Sequence, residues 1–390
     1  MKILRVISSM HPSKGGPCQG IRNIIPYFQK QGITTEVVCM DDPNGQYPTV
    51  DDFTIYKIGN GRTSYQYQPL LLDWLIKNIA NYDVIVVHGI WQYHNLAVYR
   101  AVKNLKIKSE KVPKVIIIPH GMMDPYFQKA PDRKIKAIRN ELMWRITEKK
   151  CLNSADAVFY TCEEEMRLAA TTFKGYSPRK TINVGYGIQT PPRYNNEFKL
   201  AFEEKCPDTK GKKYWLFLSR IHEKKGVDLL VQAYNKLSKQ NAALPELVIA
   251  GPNTSVYAKQ MIKLASNNPK IHFPGMLQGH EKWGAFYGCE SYFLPSHQEN
   301  FGIAIVEAMA CQKPVMVSKH VNIFKEIEAG NGGWIVEDLS VEKIYCTLLD
   351  ISKISDENIA ITGKQAYVTF KNNFNVQDRA TVFLNALNQL

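Results

Sequence analysis

Glu299 and Glu307, with seven residues between them, belong to the run Pro295-Ser296-His297-Gln298-Glu299-Asn300-Phe301-Gly302-Ile303-Ala304-Ile305-Val306-Glu307. Paired carboxylates can act as acid and base, or accept hydrogen bonds from hydroxyls. Glu299 falls in a polar loop after the apolar stretch Tyr292 to Leu294, and Glu307 in an Ala-rich stretch that reads as a helix. Strand, turn and helix in that order set one carboxylate at a sheet's carboxyl edge and the other on the first turns of a helix. Both can then face one crevice. Two buried carboxylates beside a helix start cost free energy unless they are paired or bind something. Glu307 alone could equally bridge to a core arginine. The Phe301-Gly302 step lets a ligand approach the backbone, and amides at a helix start attract an anion.

Cations suited to such an anion occur in Leu218-Ser219-Arg220-Ile221-His222-Glu223-Lys224-Lys225-Gly226. Arg220 and Lys225 there follow a strand and precede a helix. Against a diphosphate, each unit charge pair is worth on the order of 4 kcal/mol before desolvation, at about 4 Å and an effective dielectric near 20. A solvated basic turn is the other reading of this charge run. His120, in Ile118-Pro119-His120-Gly121, sits at a strand's carboxyl end, and His88-Gly89 repeats the placement one strand earlier. Gly15 and Gly16 follow the first strand, where paired glycines let backbone amides close on a phosphate. That run is neither GxGxxG nor a Walker loop, and an ordinary strand-to-helix turn would carry the same pair.

The elements that must position these groups alternate. Strand-like runs are expected at Lys2–Ser9, Thr34–Met40, Phe53–Ile58, Tyr82–His88, Lys114–His120, Ala155–Thr161 and Lys180–Val184. A second series follows at Tyr214–Ser219, Glu246–Ala250, Ile271–Phe273, Ser291–Pro295, Pro314–Ser318 and Gly333–Val336. Helix-like stretches between them predict two parallel, doubly wound α/β sheets that bind ligands beyond their carboxyl edges. The glycines and prolines of Gly185–Asn195 break the pattern. They divide the chain into residues 1–187 and 195–373, with a last helix at about 374–390 that can pack on either.

A length of 390 residues suits two domains. No apolar run approaches the roughly 18 residues of a membrane span, and the start lacks the pattern of a signal peptide. The eight cysteines are scattered without short pairs, which predicts reduced thiols in a cytoplasmic protein rather than a metal or disulfide framework. The net charge of +13 implies an acidic partner: nucleic acid, an anionic membrane or a phosphorylated substrate. Residues 126–150 hold eight Lys/Arg and three Asp/Glu, with Ile135, Ile138, Leu142, Trp144 and Ile146 among them. A basic amphipathic helix of this kind lies on an anionic membrane or packs on its own sheet.

In this order, the Gly15-Gly16 loop, Pro119-His120-Gly121, Arg220 with Lys225, and Glu299-x7-Glu307 resemble the retaining glycosyltransferases of family 4 over essentially the whole chain. The resemblance implies the GT-B fold, two Rossmann-like domains facing across a cleft, with the acceptor on the first and a nucleotide sugar on the second. Arg220 and Lys225 would hold the diphosphate. Glu299 would bind donor-sugar hydroxyls with the amides of Asn300, Phe301 and Gly302, and Glu307 the ribose. Gly15 and Gly16 would meet the diphosphate, and His120 the sugar near the reacting carbon. Gly251-Pro252 and Gly275-Met276-Leu277 would lie by the base, uracil or guanine. The family generally needs no metal, and no cofactor beyond the donor is expected. Many members carry Asn-Gly near the hinge, where this chain has Val184-Gly185-Tyr186-Gly187.

The activity so implied is hexose transfer from a UDP- or GDP-sugar to a glycan or lipid-linked acceptor in polysaccharide biosynthesis. The enzyme would be cytoplasmic or peripheral at the inner membrane face. A transferase to a soluble sugar, or a nucleotide-sugar epimerase, keeps the fold and changes the reaction. A nucleic-acid binder would account for the charge, but recognisable motifs for it are lacking.

Overall fold

The computed structural model describes the chain except for residues 49, 109–110, 131–132 and 242; part of the basic segment 126–150 therefore lies outside the described residues. The chain divides into two units, Met1–Gly187 with Val376–Leu390, and Ile188–Asn375.

The first unit is built on seven strands: β1 (Lys2–Ile7), β2 (Thr34–Cys39), β3 (Ile55–Lys57), β4 (Val84–His88), β5 (Lys114–Ile118), β6 (Ala157–Tyr160) and β7 (Thr181–Asn183). Their order across the sheet is β3-β2-β1-β4-β5-β6-β7, and every pairing is parallel. Near-continuous apolar runs such as Val84–Val87 and Val115–Ile118 suit strands covered on both faces. The expected run Phe53–Ile58 forms only the short edge strand β3.

The second unit holds β8 (Tyr214–Leu218), β9 (Glu246–Ala250), β10 (Ile271–Gly275), β11 (Ser291–Leu294), β12 (Val315–Ser318) and β13 (Gly333–Val336). They are ordered β10-β9-β8-β11-β12-β13, again parallel throughout. In each sheet the strand order reverses beside the first strand, between β1 and β4 and between β8 and β11. Crevices at the carboxyl ends of such strand pairs are where doubly wound sheets bind ligands.

The last helix, Val376–Asn388, belongs to the first unit. Its Ala380, Phe383, Leu384 and Leu387 follow the spacing of one helical face. They join Ile3, Phe28, Val86, Ile116 and Phe159 in one core. The Phe383 ring lies 5.6 Å from Phe28 and 5.2 Å from Phe159. Burying these side chains contributes on the order of 5 kcal/mol or more.

Candidate active site

In the second unit, the loop after β8 and the loop after β11 meet at the reversal point of the sheet. Lys225 ends a short turn, Glu223–Lys225, capped by His222, whose Nδ1 accepts from the Lys224 amide at 3.1 Å. Gly226 follows with φ 66° and begins the helix Val227–Ser238. A Cβ there would lie 2.0 Å from the Pro295 carbonyl oxygen, so only glycine lets the two loops approach this closely. The His297 amide then donates to the Lys224 carbonyl at 2.8 Å.

This contact brings Lys225 to Glu299. The Lys225 side chain is buried and its ammonium is ion-paired with the Glu299 carboxylate. Residues beyond β12 hold the Glu299 backbone: its amide donates to the His320 carbonyl at 3.0 Å, and its carbonyl accepts from the Asn322 amide at 2.9 Å. Burial alone would raise the Glu299 pKa. The charge and hydrogen bond of Lys225, with Lys224 and Arg220 behind it, hold it below the usual carboxylate value instead. Arg220 is exposed in the same loop. The two cations therefore differ: Lys225 neutralises a carboxylate, and Arg220 faces solvent.

Glu307 lies on the helix Ile303–Ala310, whose N-cap is Gly302 with φ 76°. Its carboxylate meets Lys282 Nζ at 2.8 Å, a lysine where an arginine was one sequence-level option. Glu299 and Glu307 are both half-buried rather than fully buried. Both carboxylates act on buried Tyr292, whose hydroxyl is pushed well up by burial and then by their charges. The two carboxylates therefore share one neighbourhood, each with its own lysine. Phe301 is buried against Phe374, with ring centroids 5.4 Å apart, and Asn300 is half-buried. Gly275 ends β10, where its carbonyl accepts from the Gly251 amide at 2.9 Å. Met276 beyond it is 51% exposed, whereas Leu277 is buried.

In the first unit, Gly15 has φ 87° and nothing lies within 4 Å of the place a Cβ would take. Gly16 opens the helix Gly16–Lys30, and its carbonyl accepts from the Tyr186 hydroxyl at 2.5 Å. His120 is half-buried with φ 53°, and its Nε2 lies 2.9 Å from His88 Nδ1. The basic segment forms Tyr126–Lys129, Lys134–Met143, a wider turn at Trp144–Glu148, and Lys149–Ser154. Trp144 and Glu148 point inward, whereas Ile135, Ile138, Leu142 and Ile146 are exposed. Packing on the sheet therefore uses other positions than this apolar stripe.

Residues 199–367 match the family described as glycosyl transferases group 1, and residues 15–187 match the glycosyl transferase 4-like domain. The two matches fall one on each unit and together take in both candidate site regions. Each unit of this chain therefore matches a glycosyltransferase family model. Among curated relatives of this chain is the putative colanic acid biosynthesis glycosyltransferase WcaL of Salmonella typhimurium. It is 25% identical over 166 residues, which span 41% of each chain. The match thus takes in about two-fifths of that relative's length. The O-antigen chain mannosyltransferase C of Escherichia coli is 21% identical over 325 residues, 81% of this chain and 79% of that one. HepE of Anabaena, solved with UDP and glucose, superposes with a TM-score of 0.76 at 16% identity, covering 100% of both chains. The sucrose-phosphate synthase of Thermosynechococcus elongatus gives 0.74 at 16% identity, covering 100% of this chain and 99% of that one. These structural likenesses establish the fold of the chain as GT-B.

Three features of the site were not read from sequence. Lys282 as the partner of Glu307 carries no local signal, being 25 residues away. Gly226 stands beside Lys225, but its role depends on a carbonyl of β11's loop. Arg5 is visible as a charge inside the apolar run Lys2–Ile7, a pattern that marks a buried cation. Among the described residues, no cluster of three or more His, Cys, Asp or Glu is arranged to hold a metal, and no helix is long and apolar enough to cross a membrane.

Proposed function

We propose that this chain is a retaining glycosyltransferase that moves a hexose from a UDP- or GDP-sugar to a glycan or lipid-linked acceptor in O-antigen, capsule or exopolysaccharide biosynthesis, without a metal. The observation that carries the reading is the Lys225–Glu299 ion pair at the reversal point of the second sheet, with Arg220 exposed in the same loop. A carboxylate kept ionised by a lysine holds no proton to donate, so Glu299 is an acceptor for sugar hydroxyls rather than a general acid. As the diphosphate departs, negative charge builds on its oxygens, and fixed cations aimed there lower the barrier. Arg220 is the cation we assign to that role, with Lys225 contributing its field from behind Glu299. The leaving diphosphate takes the acceptor proton on the face it leaves, so configuration is retained. Gly15, Gly16 and His120 we assign to the diphosphate and the sugar, Glu307 to the ribose, and Gly275 to Leu277 to the base.

A second observation supports the acceptor half. A cavity of about 240 Å³ in the first unit is lined by Tyr65, Trp91, Met122, Arg139 and Met143, among others. It adjoins the loop after β5 and the helix Lys134–Met143. That helix presents Ile135, Ile138 and Leu142 to solvent among its lysines and arginines, as a site for a lipid-linked acceptor requires.

Incubation with UDP- and GDP-hexoses and a lipid-linked acceptor, in the presence of EDTA, tests the reading. Transfer with retained anomeric configuration is expected. Inverted product, loss of activity with EDTA, or epimerised donor without transfer would each overturn the corresponding part.

A further inference from the structure

Arg5 lies on β1 beneath two helices of the first unit and is 1% exposed. It shares its face of the strand with Ile3, which belongs to the apolar core there. The guanidinium is held between the rings of Phe28 and Phe383, 5.4 Å from each centroid. Burial lowers its pKa to about 9, with no carboxylate among the causes, so it stays charged at neutral pH. A buried cation without a counter-charge costs stability, so packing alone does not account for it.

One of its donors has a defined target. Arg5 Nη1 is 3.1 Å from His88 Nε2, and His88 Nδ1 is 2.9 Å from His120 Nε2. The two imidazoles are within 17° of coplanar with centroids 5.2 Å apart. Nitrogens that close on rings that far apart meet edge to edge, as an in-plane hydrogen bond requires. A guanidinium has only donors, so His88 Nε2 must accept. Neutral imidazole has one acceptor and one donor, so the His88 proton is on Nδ1 and is donated to His120 Nε2. His120 Nε2 therefore accepts, and its own proton is on Nδ1. Both rings are held neutral by burial and by the Arg5 charge: His88 falls well below the ordinary value, and His120 to about 3.

We propose that Arg5 and His88 are positioning residues that fix the tautomer of His120, so that it offers Nδ1–H as a hydrogen-bond donor and does not act as a base. The functional meaning rests on the glycosyltransferase reading above, in which His120 meets the transferred sugar. The donor-only end of the chain sets the direction of both hydrogen bonds behind it. Free imidazole prefers its proton on the other nitrogen, so the arrangement needs a device of this kind.

The test is nitrogen-15 NMR of the full chain with labelled histidine at pH 7, with the His120 signals assigned by their loss in His120→Gln. His120 is expected to show Nδ1 protonated and Nε2 bare. A proton on Nε2, or on both nitrogens, overturns the proposal whether or not transfer activity has been found. Arg5→Met replaces a buried charge by an apolar side chain of similar length, a change that buried charges often tolerate. In it, and in His88→Ala should Arg5→Met not fold, His120 is expected to shift toward the Nε2-protonated form. An unchanged His120 spectrum in the folded variant overturns the proposal. Where transfer is measurable, Arg5→Met is expected to lower kcat by about 10- to 100-fold, as for partners behind metal-bound histidines, with donor KM little changed. Arg5→Lys, which keeps a donor-only cation, is expected to recover part of the loss. A fall in KM-dependent binding with wild-type kcat would mark Arg5 as structural only.

Discussion

Lys225 and Glu299 form an ion pair between the loop that leaves β8 and the loop that leaves β11, and the lysine is the more buried member, with side chains 6% and 20% exposed. Removing the carboxylate leaves a buried ammonium unpaired. Glu299→Ala is therefore expected to destabilise the second unit by up to about 3 kcal/mol, the low end for a broken buried pair. Glu299→Gln keeps an oxygen that can accept from Lys225 and should melt much closer to wild type. Its transfer rate should still fall about 100-fold if Glu299 has the proposed role, because the acceptor for sugar hydroxyls would have lost its charge. Thermal melts beside kcat for both variants separate the two effects. Wild-type turnover in Glu299→Gln would remove Glu299 from the mechanism. The Lys225→Met, Glu299→Leu double variant should recover stability but not activity.

Arg220 presents the opposite case. It is exposed, and exposed substitutions commonly change stability by less than about 0.5 kcal/mol. Arg220→Ala should leave the melt in place. It should weaken UDP or GDP binding by about 10- to 100-fold, the value of a charge-assisted hydrogen bond. Isothermal titration with the nucleoside diphosphate checks this, and unchanged affinity would assign the diphosphate to other cations.

Most of the scaffold was legible because parallel strands covered on both faces are written as apolar runs, such as Val84–His88, separated by helical stretches. The expected strands match all of β1 to β13 in place, with differences at ends like Ser9 and Pro295. The edge strand β3 came out shorter, because edge positions are only half-buried and the run has little apolar pattern to mark its ends. The site was legible as residue types but not as pairs. Lys225 reads as a cation for phosphate; that it neutralises Glu299 follows from the approach allowed by Gly226, 69 residues before Pro295. Likewise, the helix Val376–Asn388 shows its apolar face in sequence, but nothing local says which unit it covers. The charge of Arg5 inside an apolar strand marks a buried cation, but nothing local shows that it meets Phe28, Phe383 and His88.

Protonation should destabilise the first unit as pH falls below neutrality. His88, His94 and His120 are all held below the ordinary 6.5 by burial, His94 to about 4. Their stabilising contribution is full above 6.5 and is lost as pH falls toward the folded values, because the unfolded chain takes up protons that the folded chain refuses. Glu148 has the opposite sign. Burial raises it to about 7 against an ordinary 4.5, so its contribution grows as pH falls between those values. Three histidines against one glutamate leave a net loss, on the order of 2 kcal/mol per pH unit between about 6.5 and 5. Hydrogen exchange of β4 and β5 peptides across that range reads it locally. In Glu148→Gln the opposing part is gone and the loss should steepen. The amide can still accept from the Trp91 amide and, with the Asn95 amide turned over, donate to its oxygen. A flat profile in Glu148→Gln would mean that the histidines titrate normally.

The exposed stripe Ile135, Ile138, Leu142 and Ile146 predicts membrane association with a specific division of labour. These side chains are 86%, 71%, 57% and 58% exposed, and spacings of three and four residues put them on one helical face. Around them lie Arg133, Lys134, Lys136 and Arg139. Each cation near an anionic surface contributes about 1 kcal/mol, screened by salt. Each large apolar side chain that inserts contributes up to about 1.5–3 kcal/mol, largely independent of salt. Neutralising the four cations should therefore weaken binding to anionic vesicles at low salt and flatten its salt dependence. Ile138→Ser with Leu142→Ser should weaken binding at every salt concentration without changing that slope. Vesicle sedimentation with anionic and neutral lipids measures both. If neither variant alters sedimentation, the stripe is not a membrane contact. The lipid-linked acceptor then loses its main support, while the donor half, built on Lys225 and Glu299, is untouched.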